Sequence, residues 1–422
     1  MKLTERLGKE WIFFDGGMGT ILQEHGLKAG ELPETWNLSH PDEIIALNRS
    51  YFEAGCDVVN TNTFGANALK YPDNLQEIVQ AAVSHAKTAR QQAGREDAYI
   101  ALDIGPTGKL LQPMGDLPFE RAVELFGETI RIGAAAGADL VLIETMSDSY
   151  EAKAAVLAAK ENCDLPVLVT LIFDEKGKLL TGGTVDSTVA MLEGLRVDAL
   201  GVNCGLGPKQ MHPIIERLTQ VSSLPIIVNP NAGLPRSENG KTVFDIAPAE
   251  FSDLMEEIAG MGVQALGGCC GTTPAHIAAL RAALDALPET LPAAPAAAVS
   301  TVAKPEVEKD DAFLRKLNAG KKVIAIELDS PKDADLTGYL DGARRLQAAG
   351  ADLLTIADCP IARARMDSSL VACRVHRELG LNVLPHMTCR DRNLNATKAL
   401  LLGLYAEGVR EVLAITGDPI PT

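Results

Sequence analysis

Eight short apolar segments, separated by helical stretches, dominate the N-terminal part of this chain. They lie at residues 11–17, 57–64, 99–106, 139–146, 166–174, 198–204, 225–233 and 263–271. Most are continuous hydrophobic runs rather than alternating ones, which is typical of parallel strands covered on both faces. The stretches between them, such as 41–55 and 149–162, repeat apolar residues at helical spacing. Eight evenly spaced units predict a (β/α)8 barrel, and an open doubly wound sheet is the disfavoured alternative.

Composition limits the partners and the compartment. The chain has 422 residues and a formal net charge of −17, which argues against nucleic acid because that partner needs a cationic surface. No apolar run approaches the roughly 18 residues of a membrane span, and the N-terminus lacks the apolar core of a signal peptide. Eight cysteines without the spacing of a small disulfide-rich domain predict reduced thiols and a cytoplasmic location.

Three cysteines stand at predicted strand ends. Cys204 lies in VNCGLGP, and Cys269 and Cys270 lie in GGCCGTTP. Thiolates are soft ligands, and three of them with an open fourth position predict a reactive zinc site, since the nearest histidine, His276, falls in the next helix. Strands two apart are separated by about 9.6 Å, so the three sulfurs can converge on one ion. Small buried thiols, or a vicinal disulfide for the adjacent pair, are the alternatives.

Polar or sulfur side chains end most of the predicted strands. In a (β/α)8 barrel the reacting groups project from the C-terminal strand ends, so such a ring predicts an active site rather than a scaffold. Adjacent cysteines would face opposite ways in a regular strand, and the glycines at 267, 268 and 271 are predicted to bend the backbone around them. The polar ring comprises Asp15, Asn60, Asn62, Asp103, Glu144, Thr170, Cys204, Asn231, Cys269 and Cys270.

Five motifs over residues 10–285 carry a family resemblance. FDGGMGT, NTNTFGAN, DIGPTG, VNCGLGP and GGCCGTTP, in this order, resemble the zinc-dependent homocysteine S-methyltransferases. That family includes the betaine– and S-methylmethionine–homocysteine methyltransferases and the N-terminal part of cobalamin-dependent methionine synthase. The resemblance implies that Cys204, Cys269 and Cys270 bind Zn²⁺.

The same resemblance implies how homocysteine is held. Asp15 and Glu144 would bind its amino group, and backbone amides from Gly16 and Gly17 to Thr20 would face its carboxylate. Asn231 is the candidate for the ligand that occupies zinc before substrate arrives. On the residues alone, a helix cap remains the alternative for Asp15 and a buried ion pair for Glu144.

Thiol acidity sets the chemistry expected at such a site. A free thiol has a pKa near 8.5, so only a few per cent is thiolate at neutral pH, whereas zinc coordination deprotonates it. The thiolate would attack the methyl carbon of a donor in line and form methionine. The donor stays open among methyltetrahydrofolate, S-methylmethionine and betaine. A separate corrinoid protein is a candidate partner, because no cobalamin-binding signature occurs in the sequence.

The composition changes after residue 287. Residues 288–311 are rich in proline, alanine and charge without apolar periodicity, which predicts an extended linker. The predicted organisation is therefore a barrel at 1–287, a linker at 288–311 and a second α/β module at 312–422. Strands of that module are expected at 323–328, 352–357, 382–387 and 411–416.

The second module resembles another family. PHMTCRDRN, AITGDP and the strand-end Glu327 resemble the first half of the flavin-dependent methylenetetrahydrofolate reductases over residues 320–420. The resemblance implies that His386 and Asp418 contact FAD and that Glu327 is the acid acting on the folate, with an ordinary barrel histidine as the alternative for His386. The family's Glu-Phe-Phe-Pro-Pro-Lys stretch is ELDSPK here, without either aromatic residue.

Four strands make half of a (β/α)8 barrel. We therefore expect the sequence to be a fragment of a longer bifunctional enzyme, and residues 312–422 alone to lack reductase activity. Two classes of function follow. The leading one is a homocysteine methyltransferase, and its rival is a flavin oxidoreductase whose N-terminal barrel only binds substrate or regulates. A zinc-binding protein without activity is disfavoured by the missing fourth cysteine.

Overall fold

The computed structural model describes residues 2–28, 30–238, 241–287, 312–390 and 392–418. The chain divides into two units, Met1–Val302 and Ala303–Thr422. The predicted linker at 288–311 lies outside the described residues.

Eight parallel strands form the barrel of the first unit. They are β1 (Ile12–Phe13), β2 (Val58–Asn60), β3 (Tyr99–Ile104), β4 (Leu140–Met146), β5 (Val167–Leu171), β6 (Ala199–Asn203), β7 (Ile226–Asn229) and β8 (Ala265–Leu266). They pair in chain order from β2 to β8, and β8 pairs with β1. A parallel bridge between Phe14 and Val58 joins β1 to β2 and closes the ring. The predicted (β/α)8 barrel is confirmed, and the open-sheet alternative is wrong.

Helices cover the outside of this barrel. They are α1 (Leu3–Arg6), α2 (Met18–Glu24), α3 (Trp36–Ser39), α4 (Pro41–Glu53), α5 (Leu75–Gln92), α6 (Phe119–Ala136), α7 (Ser149–Asn162), α8 (Val185–Gly194), α9 (Pro208–Val221), α10 (Pro248–Gly260) and α11 (Pro274–Asp285). A 3₁₀ turn at Pro33–Thr35 precedes α3, and two short antiparallel strands, Arg236–Glu238 and Lys241–Val243, lie between β7 and α10. Thr273 precedes α11 and Pro274 opens it, because proline at the first helical position loses no helical hydrogen bond.

The continuous apolar runs are explained by two layers of packing. Outward side chains of the strands pack against the helices, whereas a smaller cluster fills the barrel interior and includes Phe14, Leu142 and Ile227. Leu3 and Leu7 from the N-terminal segment join the interior cluster. A strand buried on both faces shows no alternation. Except for β4, the strands end earlier than predicted, because residues at the mouth such as Asp15, Cys204 and Asn231 already belong to loops.

A buried carboxylate fastens the seam where β1 meets β2. Asp57 is 2 % exposed and forms ion pairs with Arg6 at 3.0 Å, Arg95 at 3.6 Å and Arg281 at 3.5 Å. Its Oδ2 also accepts the Phe13 N–H at 3.0 Å, while its own N–H donates to the Phe13 carbonyl at 2.7 Å. The barrel closure therefore depends on one side chain contacted from three distant parts of the chain.

Asp57→Asn is expected to lower the free energy of unfolding by about 3 kcal/mol, since removing one partner of a buried ion pair leaves the other charges uncompensated. Denaturant unfolding followed by tryptophan fluorescence measures this, because both tryptophans, Trp11 and Trp36, lie in the first unit. Glu124→Gln is the control: it breaks the exposed pair with Arg121, which contributes about 0–1 kcal/mol. Equal stability losses in the two variants would show that Asp57 is not a fastening point.

Four parallel strands in chain order form the sheet of the second unit. They are β9 (Ala325–Glu327), β10 (Leu353–Ile356), β11 (Val383–Thr388) and β12 (Leu413–Ile415). The helices are α12 (Ala312–Asn318), α13 (Thr337–Ala348), α14 (Ser368–Leu379) and α15 (Leu394–Ala406), with a 3₁₀ turn at Pro360–Ala362. The four predicted strands are confirmed. Among the helices of the described residues, none is long and apolar enough to cross a membrane.

Candidate active site at the barrel mouth

Three sulfur atoms converge at the C-terminal end of the barrel. Cys204 directly follows β6, and Cys269 and Cys270 follow β8. The Sγ atoms of Cys204 and Cys270 are 3.8 Å apart, and all three Sγ atoms lie within 4.8 Å of one another. Two sulfurs about 2.3 Å from a tetrahedral zinc are about 3.8 Å apart, while a disulfide needs about 2.05 Å. The spacing therefore fits a set of metal ligands rather than a disulfide.

The backbone presents these cysteines in an unexpected way. The pair at 269 and 270 lies beyond β8, which ends at Leu266, so the alternating geometry of a strand does not apply to it. Gly267 and Gly268 are required for close approach: a Cβ would lie 2.6 Å from Phe14 Cβ at the first position and 2.4 Å from Thr272 Oγ1 at the second. Only Gly271, at a φ of 78°, supplies the predicted change of direction.

The thiols share one negative charge. Hydrogen bonds from Cys269 and Cys270 stabilise the Cys204 thiolate and lower the pKa of Cys204 to about 3. The same contacts with Cys204 raise the pKa of Cys269 well above its usual value and that of Cys270 to about 12. A cluster that already holds a thiolate attracts a soft cation.

Carboxyl groups lie close to the sulfur cluster. Asp15 follows β1, Asp103 is on β3 and Glu144 is on β4. Burial raises the pKa of Asp15 to about 7. Burial, then the charges of Asp15 and Cys204, raise the pKa of Glu144 to about 8. The pKa of Asp103 is well above its usual value because of burial and the Glu144 charge. Such a group of acids suits a cationic ligand, whose charge would favour their ionised forms.

The alternatives raised for the two acids find no support. Helix α2 begins after Gly17, and the Asp15 carboxylate instead accepts the Asn60 N–H at 2.8 Å. No lysine, arginine or histidine of the described ranges forms an ion pair with Glu144. Neither acid is thus committed to capping the helix or to a structural cation.

The glycine loop before α2 packs against the cysteine loop. The Gly17 N–H donates to the carbonyl and hydroxyl oxygens of Thr272 at 3.2 and 3.1 Å, so this amide is already engaged. A Cβ at Gly16 would lie 2.4 Å from Thr272 Oγ1. The Thr20 hydroxyl accepts the Gly271 N–H at 3.3 Å and donates to the Gly17 carbonyl at 3.2 Å. The amides left for a ligand carboxylate are those of Gly16 and of the first turn of α2.

Asn231 lies beside the sulfurs. Its Oδ1 accepts the Cys270 N–H at 3.1 Å, and its side chain also contacts Cys204, where it helps to lower the pKa of that thiol. His276 does not reach the cluster, because its Nε2 meets the Ile246 carbonyl at 2.9 Å and its Nδ1 meets Thr273. The position next to the thiolates therefore belongs to an amide rather than to an imidazole.

Two members of the polar ring have structural surroundings instead. The Asn62 amide donates to the Pro33 carbonyl at 2.9 Å and to Asn37 Oδ1 at 3.2 Å, which fixes one loop of the mouth to another. Thr170 is inside β5 and 0 % exposed. Polarity at a strand end was therefore too coarse a criterion for these two positions.

Sequence reasoning missed Asn203, Thr145 and Thr272. The Thr272 hydroxyl donates to the Cys269 carbonyl at 2.6 Å, and the Asn203 amide bonds Thr145 and lies near Cys269. Asn203 and Thr272 lie inside the cysteine motifs VNCGLGP and GGCCGTTP, which is the one signal that pointed towards them. Their contacts depend on the paths of separate loops.

Of the three site residues predicted in the second unit, Glu327 and His386 lie close together, and Asp418 contacts a different segment. His386 Nε2 lies 3.8 Å from Glu327 Oε2, which brings the ends of β9 and β11 together. Asp418 follows β12, and its carboxylate accepts the Ile361 N–H at 2.6 Å. Glu327 and His386 thus form a pair at one edge of the sheet, and Asp418 holds the turn after β10.

Fold and site together define a (β/α)8-barrel enzyme with thiolates at its mouth. The sequence profile of the homocysteine S-methyltransferase family matches residues 12–284. The chain belongs to the homocysteine S-methyltransferase family. Residues 312–422 match the profile of methylenetetrahydrofolate reductase, so both predicted resemblances are confirmed.

Curated relatives include two mycobacterial methionine synthases. That of Mycobacterium leprae (strain TN) is 32 % identical over 301 residues, which cover 67 % of this chain and 25 % of the relative. That of Mycobacterium tuberculosis (strain ATCC 25618 / H37Rv) is 31 % identical over 301 residues, with the same coverage. The chain thus spans about a quarter of the length of these relatives.

Solved structures of the homocysteine methyltransferase MmuM from Escherichia coli are similar in fold. The metallated form has a TM-score of 0.56 at 22 % identity and covers 65 % of this chain and 96 % of its own. The oxidized form has a TM-score of 0.54 at 24 % identity, and the match covers 66 % of this chain and 97 % of the MmuM chain. At this identity the likeness establishes the barrel fold.

Proposed function

We propose that this protein transfers a methyl group to the thiolate of homocysteine in a zinc-dependent reaction that gives methionine. The observation that carries the proposal is the convergence of three cysteine sulfurs, all within 4.8 Å of one another, beside the buried Asp15 and Glu144. A ligand with a thiol at one end and an ammonium at the other matches both groups. Membership of the homocysteine S-methyltransferase family supports the same substrate.

Cys204, Cys269 and Cys270 would hold the zinc ion, whose chemistry when bound is to keep a coordinated thiol deprotonated at neutral pH. Three thiolates as ligands leave the fourth position for the substrate sulfur. Asn231, which contacts Cys204 and Cys270, is the proposed occupant of that position in the absence of substrate.

The remaining residues would bind and orient homocysteine. Asp15 and Glu144 would accept hydrogen bonds from its ammonium. The positive charge of the ammonium would lower their raised pKa values and so favour their ionised forms. The amides of Gly16 and of the first turn of α2 would donate to its carboxylate, with the Gly17 backbone and the Thr20 hydroxyl holding that turn against the cysteine loop. Fixing both ends of the substrate directs its sulfur towards the donor.

Methyl transfer would form the S–CH₃ bond as the bond between the methyl group and the donor breaks, with that electron pair leaving on the donor. Methyltetrahydrofolate is the proposed donor, because residues 312–422 match a folate-reductase profile. S-methylmethionine and betaine are the competing donors. A separate corrinoid protein is the proposed partner for the folate route, and reduced thiols favour a cytoplasmic location.

The second unit is proposed to belong to a flavin reductase. Glu327 and His386, 3.8 Å apart, would be the acid acting on the folate and a contact of FAD, and Asp418 would be a second FAD contact. The rival function for the whole chain, a reductase with a barrel that only binds or regulates, has less support because the sulfur and acid groups are both assembled in the barrel.

A donor screen on the zinc-loaded full chain tests the methyltransferase proposal. Homocysteine is incubated with each candidate donor, with and without added corrinoid protein, and methionine is measured by mass spectrometry. Metal analysis of the purified chain should find about one zinc per chain. A chain that binds no zinc and forms no methionine from any donor would support the rival reading.

Glu144→Gln is expected to weaken homocysteine binding by roughly 10- to 150-fold, because a charge-assisted hydrogen bond contributes about 1.5–3 kcal/mol. Calorimetric titration of the zinc-loaded variant measures the affinity, and zinc content should stay unchanged. Glu151→Gln is the matched control, since that buried acid binds Thr107 rather than facing the sulfurs. Unaltered affinity in Glu144→Gln would leave this acid a structural role only.

A further inference from the structure

We propose that Asn203 is a positioning residue that couples the metal thiolates to the substrate-binding acid, an inference that rests on the proposed function. Asn203 is the last residue of β6, immediately before Cys204, and its side chain is 0 % exposed. The distinguishing observation is that this one amide contacts both Thr145, next to Glu144 on β4, and the sulfur of Cys269.

The Asn203 side chain uses both of its ends. Its Oδ1 accepts the Thr145 N–H at 2.9 Å, and its Nδ2 donates to the Thr145 hydroxyl at 2.7 Å. The same Nδ2 lies 3.9 Å from Cys269 Sγ. An asparagine amide offers two N–H groups, so one can bond the hydroxyl while the other faces the sulfur.

The contact with Thr145 supports a strained part of β4. Thr145 has a φ of 58°, a conformation that β-branched residues rarely adopt. The pairing of β4 with β5 shifts between Ile143 and Met146, which is the pattern of a bulge, and bulges redirect side chains next to active sites. Glu144 stands in this bulge. Two hydrogen bonds between Asn203 and Thr145, one in each direction, therefore hold the segment that orients the proposed substrate acid.

The contact with Cys269 acts on the metal side. A partner of a metal ligand orients that ligand and tunes its basicity, and removing it typically costs about 10- to 100-fold in metal affinity or activity. Asn203 is also bonded through the backbone to Cys204, whose φ of 56° is itself unusual. Asn203 thus contacts one of the three sulfurs, directly precedes a second cysteine in the chain and holds the bulge of Glu144.

Two substitutions separate the two contacts in the full chain. Asn203→Asp keeps an acceptor for the Thr145 N–H but removes the N–H towards sulfur, so it should lower zinc affinity by about 10- to 100-fold. Thr145→Val removes the hydroxyl partner and should weaken homocysteine binding while zinc affinity stays unchanged. Zinc affinity is measured by competition with a chromogenic chelator, and homocysteine affinity by calorimetry on zinc-loaded protein.

Asn203→Ala should lower both affinities, and adding Thr145→Gly should restore homocysteine binding but not zinc affinity, because glycine adopts positive φ without strain. The thiolate-to-metal absorption band of the Co²⁺-loaded protein should shift in Asn203→Ala and Asn203→Asp only. Asn48→Ala is the matched control: Asn48 is buried in α4 and its side chain makes no hydrogen bond within the described residues.

Zinc and homocysteine affinities in the Asn203 variants that match those of Asn48→Ala would overturn the inference. If Asn203→Ala does not fold, the Asn203→Asp and Thr145→Val pair decides alone. A wild-type chain that binds neither zinc nor homocysteine would instead refute the proposed function, so the two failures are distinguishable.

Discussion

Replacing any one of Cys204, Cys269 and Cys270 with alanine is expected to abolish zinc binding and methyl transfer while the barrel stays folded. Each thiol supplies one of three ligands, and two soft ligands with a solvent-facing gap hold zinc far more weakly than three. The loss should exceed the roughly 10- to 100-fold effect of changing a residue that only orients a ligand. Metal analysis and methionine formation measure the two effects.

The fold should survive these substitutions because the three side chains lie at the mouth, only partly buried, and outside both clusters of the barrel core. Cys163→Ala is the matched control: this partly buried cysteine follows α7, away from the cluster, and should keep zinc and activity. Full activity in a zinc-free preparation of any cluster variant would refute the assignment of these thiols.

Asp15→Asn is expected to stabilise the metal-free protein at neutral pH by about 4 kcal/mol. The folded-state pKa of Asp15 is about 7, whereas an unfolded aspartate has a pKa of about 3.9. Between these values the native state binds more protons than the unfolded state, so this group lowers stability as pH rises through that window. Asparagine does not titrate and can still accept the Asn60 N–H.

Denaturant unfolding of the wild-type chain and of Asp15→Asn, at about pH 4 and above about pH 7, measures the difference in stability through tryptophan fluorescence. The difference between them should be small at the lower pH, grow through the window and become constant above it. The exposed Asp73→Asn is the control and should show no such growth. A difference that is independent of pH would mean that Asp15 is not a buried acid of raised pKa. If removing the Asp15 carboxylate stabilises the protein, the residue is retained for ligand binding rather than for stability.

Stability and substrate binding thus place opposite demands on the mouth of the barrel. Asp57, at the seam, is buried with three arginines around it, and its charge is compensated. Asp15 is equally buried, and burial is the main cause of its raised pKa. An uncompensated buried acid is costly unless a ligand supplies the missing cation. The contrast between these two aspartates supports the ammonium of the proposed substrate as the partner of Asp15.

The architecture was predictable from the sequence because its signals are local. Continuous apolar runs such as 139–146 predict strands buried on both faces, and helical periodicity between them predicts the outer layer. The cysteines at 204, 269 and 270 were predictable as a group for a similar reason: their motifs end strands, and parallel strands of a barrel end at one mouth. Strand lengths were overestimated, since the polar and glycine residues that follow most strands at the mouth belong to loops.

The sequence alone therefore determined the barrel, the second α/β sheet and the three cysteines that converge at the barrel mouth. The tertiary structure decided which polar groups serve the site: Asn62 fixes a loop, Asn203 bridges β4 and β8, and residues as distant as Arg6 and Arg281 meet on Asp57. It also decided the acidities, because the pKa of Asp15 depends on burial. Periodicity reports on neighbours within a few residues, whereas these contacts and this burial depend on where separate loops lie in the closed barrel.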